Sequence, residues 1–180
     1  QPGGIMNMIE IGTNARQAAR RLARASSQQK THLLNSLAER LLTSAETILA
    51  ENARDVQLAR GSGLAAASVD RLMLNPSRLE GIVEDLRSVA EMPDPVGEII
   101  EQSTLPNGLR VRRQRVPLGV LGVIYEARPN VTIDVAGLAI KTGNAAILRG
   151  GSETLNSNRA LVAAVQAALV EHGFPAQTIQ

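Results

Sequence analysis

The sequence has 180 residues, which is enough for one domain with a hydrophobic core, and its apolar fraction of 44% is ordinary for a globular protein. It contains no cysteine, which excludes disulfides, thiolate metal sites and a cysteine nucleophile within these residues. The net charge of +2 comes without a long basic segment, and no apolar run reaches membrane-spanning length, so we expect a cytoplasmic protein that binds neither nucleic acid nor membrane.

The first half of the chain has a helical pattern. From about Met8 to Glu91, apolar residues recur at the spacing of helix faces. A short helical turn is expected at Val69–Met73, and Gln1–Gly4 are expected to form a disordered start. The predicted helices are bounded by capping or breaking residues: Ser26 and Ser44 before the second and third helices, Gly61 after the third, Asn75-Pro76 before the last and Pro93 after it.

From Val96 the pattern changes to short strands. Two segments, Val96–Ser103 and Leu109–Val116, flank a Pro-Asn-Gly turn and predict a β-hairpin with one solvated face. Leu118–Tyr125 is apolar apart from its glycines, as expected of a strand buried on both faces of a parallel sheet. The remaining predicted elements are a helix at 131–142, a strand at 145–148, an amphipathic helix at 154–172 and a segment after Pro175 that can begin a third strand.

The alternation of strands and helices predicts an α/β fold in three parts. Residues 1–95 form a helical part, residues 96–116 a hairpin, and residues 117–180 the first half of a Rossmann-like, doubly wound nucleotide-binding sheet.

The polar loop after the first predicted strand of this sheet is a candidate site. Glu126, Arg128 and Asn130 follow the strand directly and precede a helix, and ligands of parallel sheets bind at such places. The structural alternative is that Asn130 only caps a helix beginning at Val131.

A second candidate loop, at 143–153, follows the next predicted strand. Gly150 and Gly151 would let a phosphate or ribose approach the backbone closely. The loop has neither the ending of a phosphate-binding P-loop nor the glycine fingerprint of ordinary dinucleotide binders, so an ordinary turn is the alternative.

Two other groups of residues are weaker candidates for a binding site. Four arginines of the hairpin, Arg110, Arg112, Arg113 and Arg115, suit phosphate binding but are better explained as a solvated face. His32 and His172 are far apart and have no partner at metal-ligand spacing, so we predict no metal site.

The two candidate loops together resemble gamma-glutamyl phosphate reductase, a family similar to aldehyde dehydrogenases. The similarity rests on Val-Ile-Tyr-Glu-Ala-Arg-Pro-Asn-Val-Thr at 123–132, Lys-Thr-Gly-Asn at 141–144 and Leu-Arg-Gly-Gly at 148–151. Asn-Ala-Arg-Asp-Val at 52–56 and Asp-Arg-Leu at 70–72 extend it over most of the chain. The family has a cofactor domain, a catalytic domain and an oligomerisation hairpin, and its members are more than twice this length.

The resemblance implies NADPH-dependent reduction of L-glutamyl 5-phosphate to glutamate 5-semialdehyde in proline biosynthesis. A cysteine would attack the acyl phosphate, and the thioester would then accept hydride. Because neither the cysteine nor the catalytic domain lies in these residues, we expect this chain alone to be inactive and the intact enzyme to be a homo-oligomer.

Roles for individual residues follow from the same resemblance. Asn130 matches an asparagine that donates to the oxyanion in the related dehydrogenases. Arg149 falls where those enzymes hold the adenosine ribose, and Glu153 near their ribose-binding glutamate, which places Gly150, Gly151 and Ser152 in the cofactor site as well. We also expect Arg128 to bind an anionic group of the substrate. The chief alternative is a non-catalytic nucleotide-binding or helical scaffold module that shares the fold.

Overall fold

A computed structural model describes residues 7–180, so the predicted disordered start at Gln1–Gly4 lies outside the described residues. No described helix has both the length and the apolar character needed to cross a membrane. In chain order the elements are α1 (Met8–Leu22), α2 (Ser27–Thr43), α3 (Ala45–Gly61), α4 (Ala66–Leu72), α5 (Pro76–Glu91), β1 (Ile99–Thr104), β2 (Arg110–Gln114), β3 (Val120–Ile124), α6 (Pro129–Lys141), β4 (Ala145–Arg149) and α7 (Leu155–Glu171).

Most helix starts in the first half follow the predicted caps. The Ser26 hydroxyl accepts the Gln29 amide at 3.2 Å while the Gln29 side chain accepts the Ser26 amide at 2.9 Å, which is a complete capping box. Asn75 caps α5 by accepting the Arg78 amide at 2.8 Å. Ser44 occupies the N-cap of α3, but its side chain makes no capping bond. Helix α4 begins three residues before the predicted turn. The sequence did not indicate this start because no side chain caps it.

Strands β3 and β4 pair in parallel, from Val120 opposite Ala145 to Ile124 opposite Arg149. On the other side of β4, Gln180 donates its amide to Ala146 at 3.0 Å, and its carbonyl accepts the Leu148 amide at 2.6 Å. A single 3₁₀ turn at Ala176–Thr178 leads into this pairing. Ile179 thus forms an isolated parallel bridge with Ala146, in the segment where the sequence predicts the beginning of a third strand.

Helices cover both faces of this small sheet. Ala15 and Ala19 of α1 pack on Ala145 from one face. On the other face Ala146 joins the main core, to which helices α2, α5, α6 and α7 contribute Leu, Ile, Val and Ala side chains. The arrangement is the α/β layering expected of a doubly wound fold.

The prediction that Leu118–Tyr125 is buried on both faces is wrong. Strand β3 is only half-buried; Leu118, two residues before it, is 84% exposed, and Ile124, its last residue, is 86% exposed. Within the described residues, Val120 and Leu121 are the apolar residues of β3 that pack against the buried clusters, so the strand is only partly covered.

The predicted hairpin forms from antiparallel β1 and β2. Both of its faces are exposed, whereas the sequence predicts one covered face, because among the described residues no other helix or strand packs extensively against these two strands. Arg115 forms an ion pair with Glu98 at 2.7 Å, and Arg113 lies 3.8 Å from Glu101. These contacts support a solvated hairpin face over a phosphate site.

The two lysines of the sequence are both buried, in one cluster at the ends of three helices. The Lys30 ammonium lies 2.5 Å from the Asp94 carboxylate, and the Lys141 ammonium donates to the Ala90 carbonyl at 2.8 Å. Burial lowers the pKa of Lys141, Asp94 opposes this effect, and the positive Lys30 adds to it. The cluster ties the C-terminal ends of α5 and α6 to the start of α2.

Candidate functional site

The loop after β3 carries the first group of candidate residues. The Tyr125 amide donates to the Arg149 carbonyl at 3.1 Å, which continues the parallel ladder to the end of β4. The chain then turns, with the Arg128 amide donating to the Glu126 carbonyl at 2.8 Å. Helix α6 begins at Pro129, a residue type favoured at the first helical position, with Arg128 as its N-cap residue. Arg128 and Asn130 thus lie at a helix N-terminus, beyond the carboxyl end of a parallel strand.

Asn130 lies inside the first turn of α6 and not before it, so the alternative in which it caps the helix is wrong. The side chain is exposed, and its amide nitrogen donates to the Asp134 carboxylate at 3.3 Å, one turn along the helix. Burial raises the pKa of Asp134, the negative Asp85 raises it further, and the hydrogen bond from Asn130 opposes both. Asn130 is therefore an oriented, uncharged donor.

The glycine-rich loop packs against the loop after β3. A Cβ atom on Gly150 would lie 2.3 Å from the Asn158 amide nitrogen and 3.2 Å from the Tyr125 ring. A Cβ atom on Gly151 would lie 3.2 Å from the backbone nitrogen of Ala127. Neither glycine has a positive φ. Glycine at these positions is explained by the close approach of the two loops, whether or not a ligand also approaches there.

A cavity of about 520 Å³ opens on one side of the glycine-rich loop, against α7, and is called the α7 cavity. The Arg149 side chain is exposed here, and its guanidinium donates to the Gly150 carbonyl. The wall combines apolar side chains with polar ones: Tyr125, Leu148, Arg149, Gly150, Gly151, Ser152, Leu155, Asn158, Arg159, Val162, Ala163, Gln166 and Gln180.

A second cavity of about 330 Å³, the α4 cavity, lies between α4 and the two loops. Arg128 and Glu153 line it, together with Leu64, Ser68, Arg71, Glu126, Ala127 and Gly151. The candidate residues thus lie at two different cavities. Arg149, Gly150 and Ser152 line the α7 cavity, Glu153 lines the α4 cavity, and Gly151 lines both.

A chain of hydrogen bonds that sequence reasoning missed joins the two loops to α6 and α7. The Thr132 hydroxyl donates to the side-chain amide oxygen Oδ1 of Asn158 at 2.9 Å, so its single proton is used and the Tyr125 hydroxyl must donate to Thr132 at 2.7 Å. Asn158 then donates to Thr154 at 3.1 Å, and Thr154 to the Gly151 carbonyl at 3.2 Å. Burial raises the pKa of Tyr125, although the hydrogen bond with Thr132 opposes this, which keeps the hydroxyl protonated. The network fixes the position of the glycine-rich loop.

The start of α7 is capped from a distance by a buried carboxylate of α3. Asp55, 2% exposed, accepts the Ser157 amide at 2.7 Å, the Ser157 hydroxyl at 2.6 Å, the Asn156 side-chain amide at 2.8 Å and the Asn156 backbone amide at 3.3 Å. A negative charge is favourable here because the first amides of a helix have no partner within the helix. Asn52, one turn earlier in α3, donates to the Ser157 hydroxyl at 3.0 Å. Asn52 and Asp55 are two polar residues three positions apart on the buried face of α3. This spacing is the sequence signal that would have identified the capping site.

Within residues 7–180, no cluster of three or more His, Cys, Asp or Glu side chains is placed to hold a metal ion. The groups next to the two cavities include amide and guanidinium donors, and Glu126 and Glu153 add carboxylates at the α4 cavity.

Comparison with known proteins identifies close relatives. No family model matches the chain. It is 54% identical over 175 residues to a gamma-glutamyl phosphate reductase of Tolumonas auensis, an alignment that covers 97% of this chain and 42% of the relative. The crystal structure of gamma-glutamyl phosphate reductase from Thermotoga maritima superimposes with a TM-score of 0.93 at 40% identity, covering 96% of this chain and 42% of that one.

The wider fold is that of aldehyde dehydrogenases. An NAD-dependent benzaldehyde dehydrogenase from Corynebacterium glutamicum superimposes with a TM-score of 0.68 at 22% identity, covering 96% of this chain and 35% of that one. This likeness shows the fold alone. The chain thus matches the N-terminal part of gamma-glutamyl phosphate reductases over nearly its whole length, and it spans about 42% of the curated relatives' length.

Proposed function

We propose that this chain is the N-terminal part of a gamma-glutamyl phosphate reductase of proline biosynthesis, which converts L-glutamyl 5-phosphate to glutamate 5-semialdehyde. One observation carries the proposal: the identity of 54% extends over 97% of the chain and includes both candidate loops. Agreement at this level over helices, hairpin and loops together is difficult to explain by a shared fold alone, as in a scaffold module.

The α7 cavity fits part of a nicotinamide dinucleotide. Its apolar wall, which includes Leu155 and Val162, suits a planar adenine ring, and the Arg149 guanidinium suits a phosphate group. We propose that Arg149, Gly150, Gly151 and Ser152 hold the adenosine half of NADPH here. When bound, the cofactor supplies hydride to the acyl carbon.

Glu153 is proposed as a contact to the cofactor ribose from the other side of the loop. Because Glu153 faces the α4 cavity with Arg128, its carboxylate is separated from the α7 cavity by Gly151.

Asn130 is proposed as the oxyanion donor. Its amide is uncharged and stands on the first turn of α6, where the free backbone amides of the helix add to its field. Negative charge develops on the carbonyl oxygen only as the acyl group is attacked, so an oriented neutral donor stabilises the transition state more than the substrate. The attacking cysteine is proposed to lie outside these residues, and Arg128 is proposed to bind an anionic group of the substrate.

The intact enzyme is proposed to be a cytoplasmic homo-oligomer. The β1–β2 hairpin is exposed on both faces and carries Ile99, Leu109 and Val111 with about half of each side chain exposed, which suits a strand-mediated subunit contact.

The test is an activity assay of the intact protein in the reverse direction. Glutamate 5-semialdehyde, inorganic phosphate and NADP⁺ should yield NADPH, followed by its absorbance, and omission of phosphate should abolish the signal. Phosphate-independent reduction of NADP⁺ would instead indicate an ordinary aldehyde dehydrogenase, and a lack of turnover with a bound cofactor would favour a nucleotide-binding module.

A further inference from the structure

Two arginines from distant parts of the chain meet at the α4 cavity. Arg71 comes from α4, and Arg128 comes from the N-cap of α6. Within residues 7–180 neither guanidinium forms an ion pair, although the neighbouring Asp70 pairs with Arg78 at 2.9 Å. Both side chains are exposed at the cavity and keep their donors available.

Helix α4 has only seven residues, yet contacts on both sides of Arg71 hold it in place. The buried Asn52 donates to the Leu72 carbonyl at 2.7 Å and accepts the Leu74 amide at 2.6 Å. Arg78 donates to the Asp70 carbonyl at 2.5 Å and to its carboxylate at 2.9 Å. The backbone that carries Arg71 is therefore fixed, which lowers the entropy lost when its side chain binds a ligand.

The same scaffold continues to the glycine-rich loop. Asn52 also donates to Ser157, and Asp55 of the same helix caps the start of α7. One helix, α3, thus sets the position of Arg71 relative to the loop that contains Glu153. A fixed relation between these elements is what a shared binding site needs.

The two arginines at the cavity suit the phosphate group of a ligand. Arg71 and Arg128 line one cavity without ion-pair partners among the described residues, and each guanidinium offers a fork of N–H donors that matches phosphate oxygens. Two carboxylates, Glu126 and Glu153, line the same cavity. They suit a ligand that presents hydroxyl or ammonium groups beside its phosphate.

We propose that Arg71 and Arg128 together bind one phosphate group in the α4 cavity, with Arg71 as a further specificity-determining residue. The source of the phosphate rests on the proposed function and is either the acyl phosphate of the substrate or the 2′-phosphate of the cofactor. The second source would replace Arg149 as the partner of the 2′-phosphate. Both present the same dianionic oxygens to the guanidinium pair.

The experiment uses Arg71→Gln in the intact protein, with Arg16→Gln as a matched control that removes an exposed arginine of α1 outside the cavity. The Michaelis constant for inorganic phosphate in the reverse reaction probes the substrate source. Calorimetric titration with 2′,5′-ADP, compared with 5′-AMP, probes the cofactor source. Because charge-assisted hydrogen bonds are lost, Arg71→Gln should weaken one of the two phosphate ligands by about 10- to 100-fold and leave 5′-AMP binding within about 2-fold, whereas Arg16→Gln should change neither ligand.

Adding Arg128→Gln tests whether the two arginines share a ligand. The second substitution should cost much less in the Arg71→Gln background than in the wild type, because the partner contact is already lost. Fully additive losses, or an Arg71→Gln protein that binds both phosphate ligands as the control does, would overturn the inference.

Failure of the inference is distinguishable from failure of the proposed function. An active reductase whose Arg71→Gln variant behaves like the control keeps the function and loses the inference. A protein without reductase activity that binds phosphate or 2′,5′-ADP through Arg71 loses the proposed function and keeps the paired phosphate site.

Discussion

Asp55 should contribute strongly to stability although it lies 102 residues from Ser157, the residue it caps. Replacing Asp55 with Ala leaves the Ser157 amide and hydroxyl without their acceptor in a place where Ser157 is fully buried. Because a buried donor left unsatisfied costs about 1–3 kcal/mol, we expect the free energy of unfolding to fall by about 3 kcal/mol.

The control is Asp70→Ala, which removes an exposed ion pair with Arg78 and should cost less than about 1 kcal/mol. Urea denaturation of the intact protein measures both variants, and hydrogen exchange at the start of α7 localises the effect. In Asp55→Ala the Asn156 and Ser157 amides should lose protection before the rest of the helix. A loss below about 1 kcal/mol, with unchanged protection at these amides, would refute the capping argument.

Further substitutions test the candidate site. Asn130→Ala should lower turnover by about 100- to 1000-fold without unfolding the protein, and near-normal turnover would remove its oxyanion role. The same variant should raise the pKa of Asp134 further, because the hydrogen bond that lowers it is lost; carboxyl NMR titration would show an unchanged pKa if the contact is absent in solution. Arg149→Ala should weaken NADPH more than NADH in fluorescence titrations, whereas equal losses would assign Arg149 a purely positional role. Gly150→Ala should destabilise the protein by about 1–3 kcal/mol through its clash with the Asn158 side chain. The control Gly81→Ala, in α5 with open space around it, should instead stabilise the protein by about 0.5–1 kcal/mol. Thermal unfolding measures both variants, and a Gly150→Ala protein as stable as Gly81→Ala would contradict the expected clash.

Local signals in the sequence predict much of the helical half. The helix caps at Ser26 and at Asn75 each form within four consecutive residues. A short stretch of sequence is therefore enough to predict them. The parallel strands and their helices follow for the same reason, since a change from helical to strand periodicity is visible in short windows.

Features that depend on distant partners are not predictable in this way. Hydrophobicity indicates that β3 should be covered, but it does not indicate which strand or helix covers it, and β3 is half-exposed within the described residues. Asp55 looks like an ordinary charged residue of α3 until the start of α7 is seen beside it.

In the candidate site too, local features were predictable from the sequence and features that depend on tertiary packing were not. Sequence reasoning located both loops, because each directly follows an apolar strand. It grouped Arg149 and Glu153 together, but the 3₁₀ turn at Ser152–Thr154 places Glu153 at the α4 cavity. It gave no role to Arg71, because residues 57 positions apart reach one cavity only through tertiary packing.

The buried lysine cluster has a practical consequence. The chain contains only Lys30 and Lys141, which are 1% and 3% exposed, while its many arginines lie largely at the surface. A lysine-specific protease can therefore cut these residues only after the junction of α2, α5 and α6 has opened, whereas trypsin would also cut at exposed arginines. Amine-directed labels should behave likewise at both side chains. The rate of cleavage or labelling at Lys30 and Lys141 thus provides a built-in reporter of core opening that needs no engineered probe.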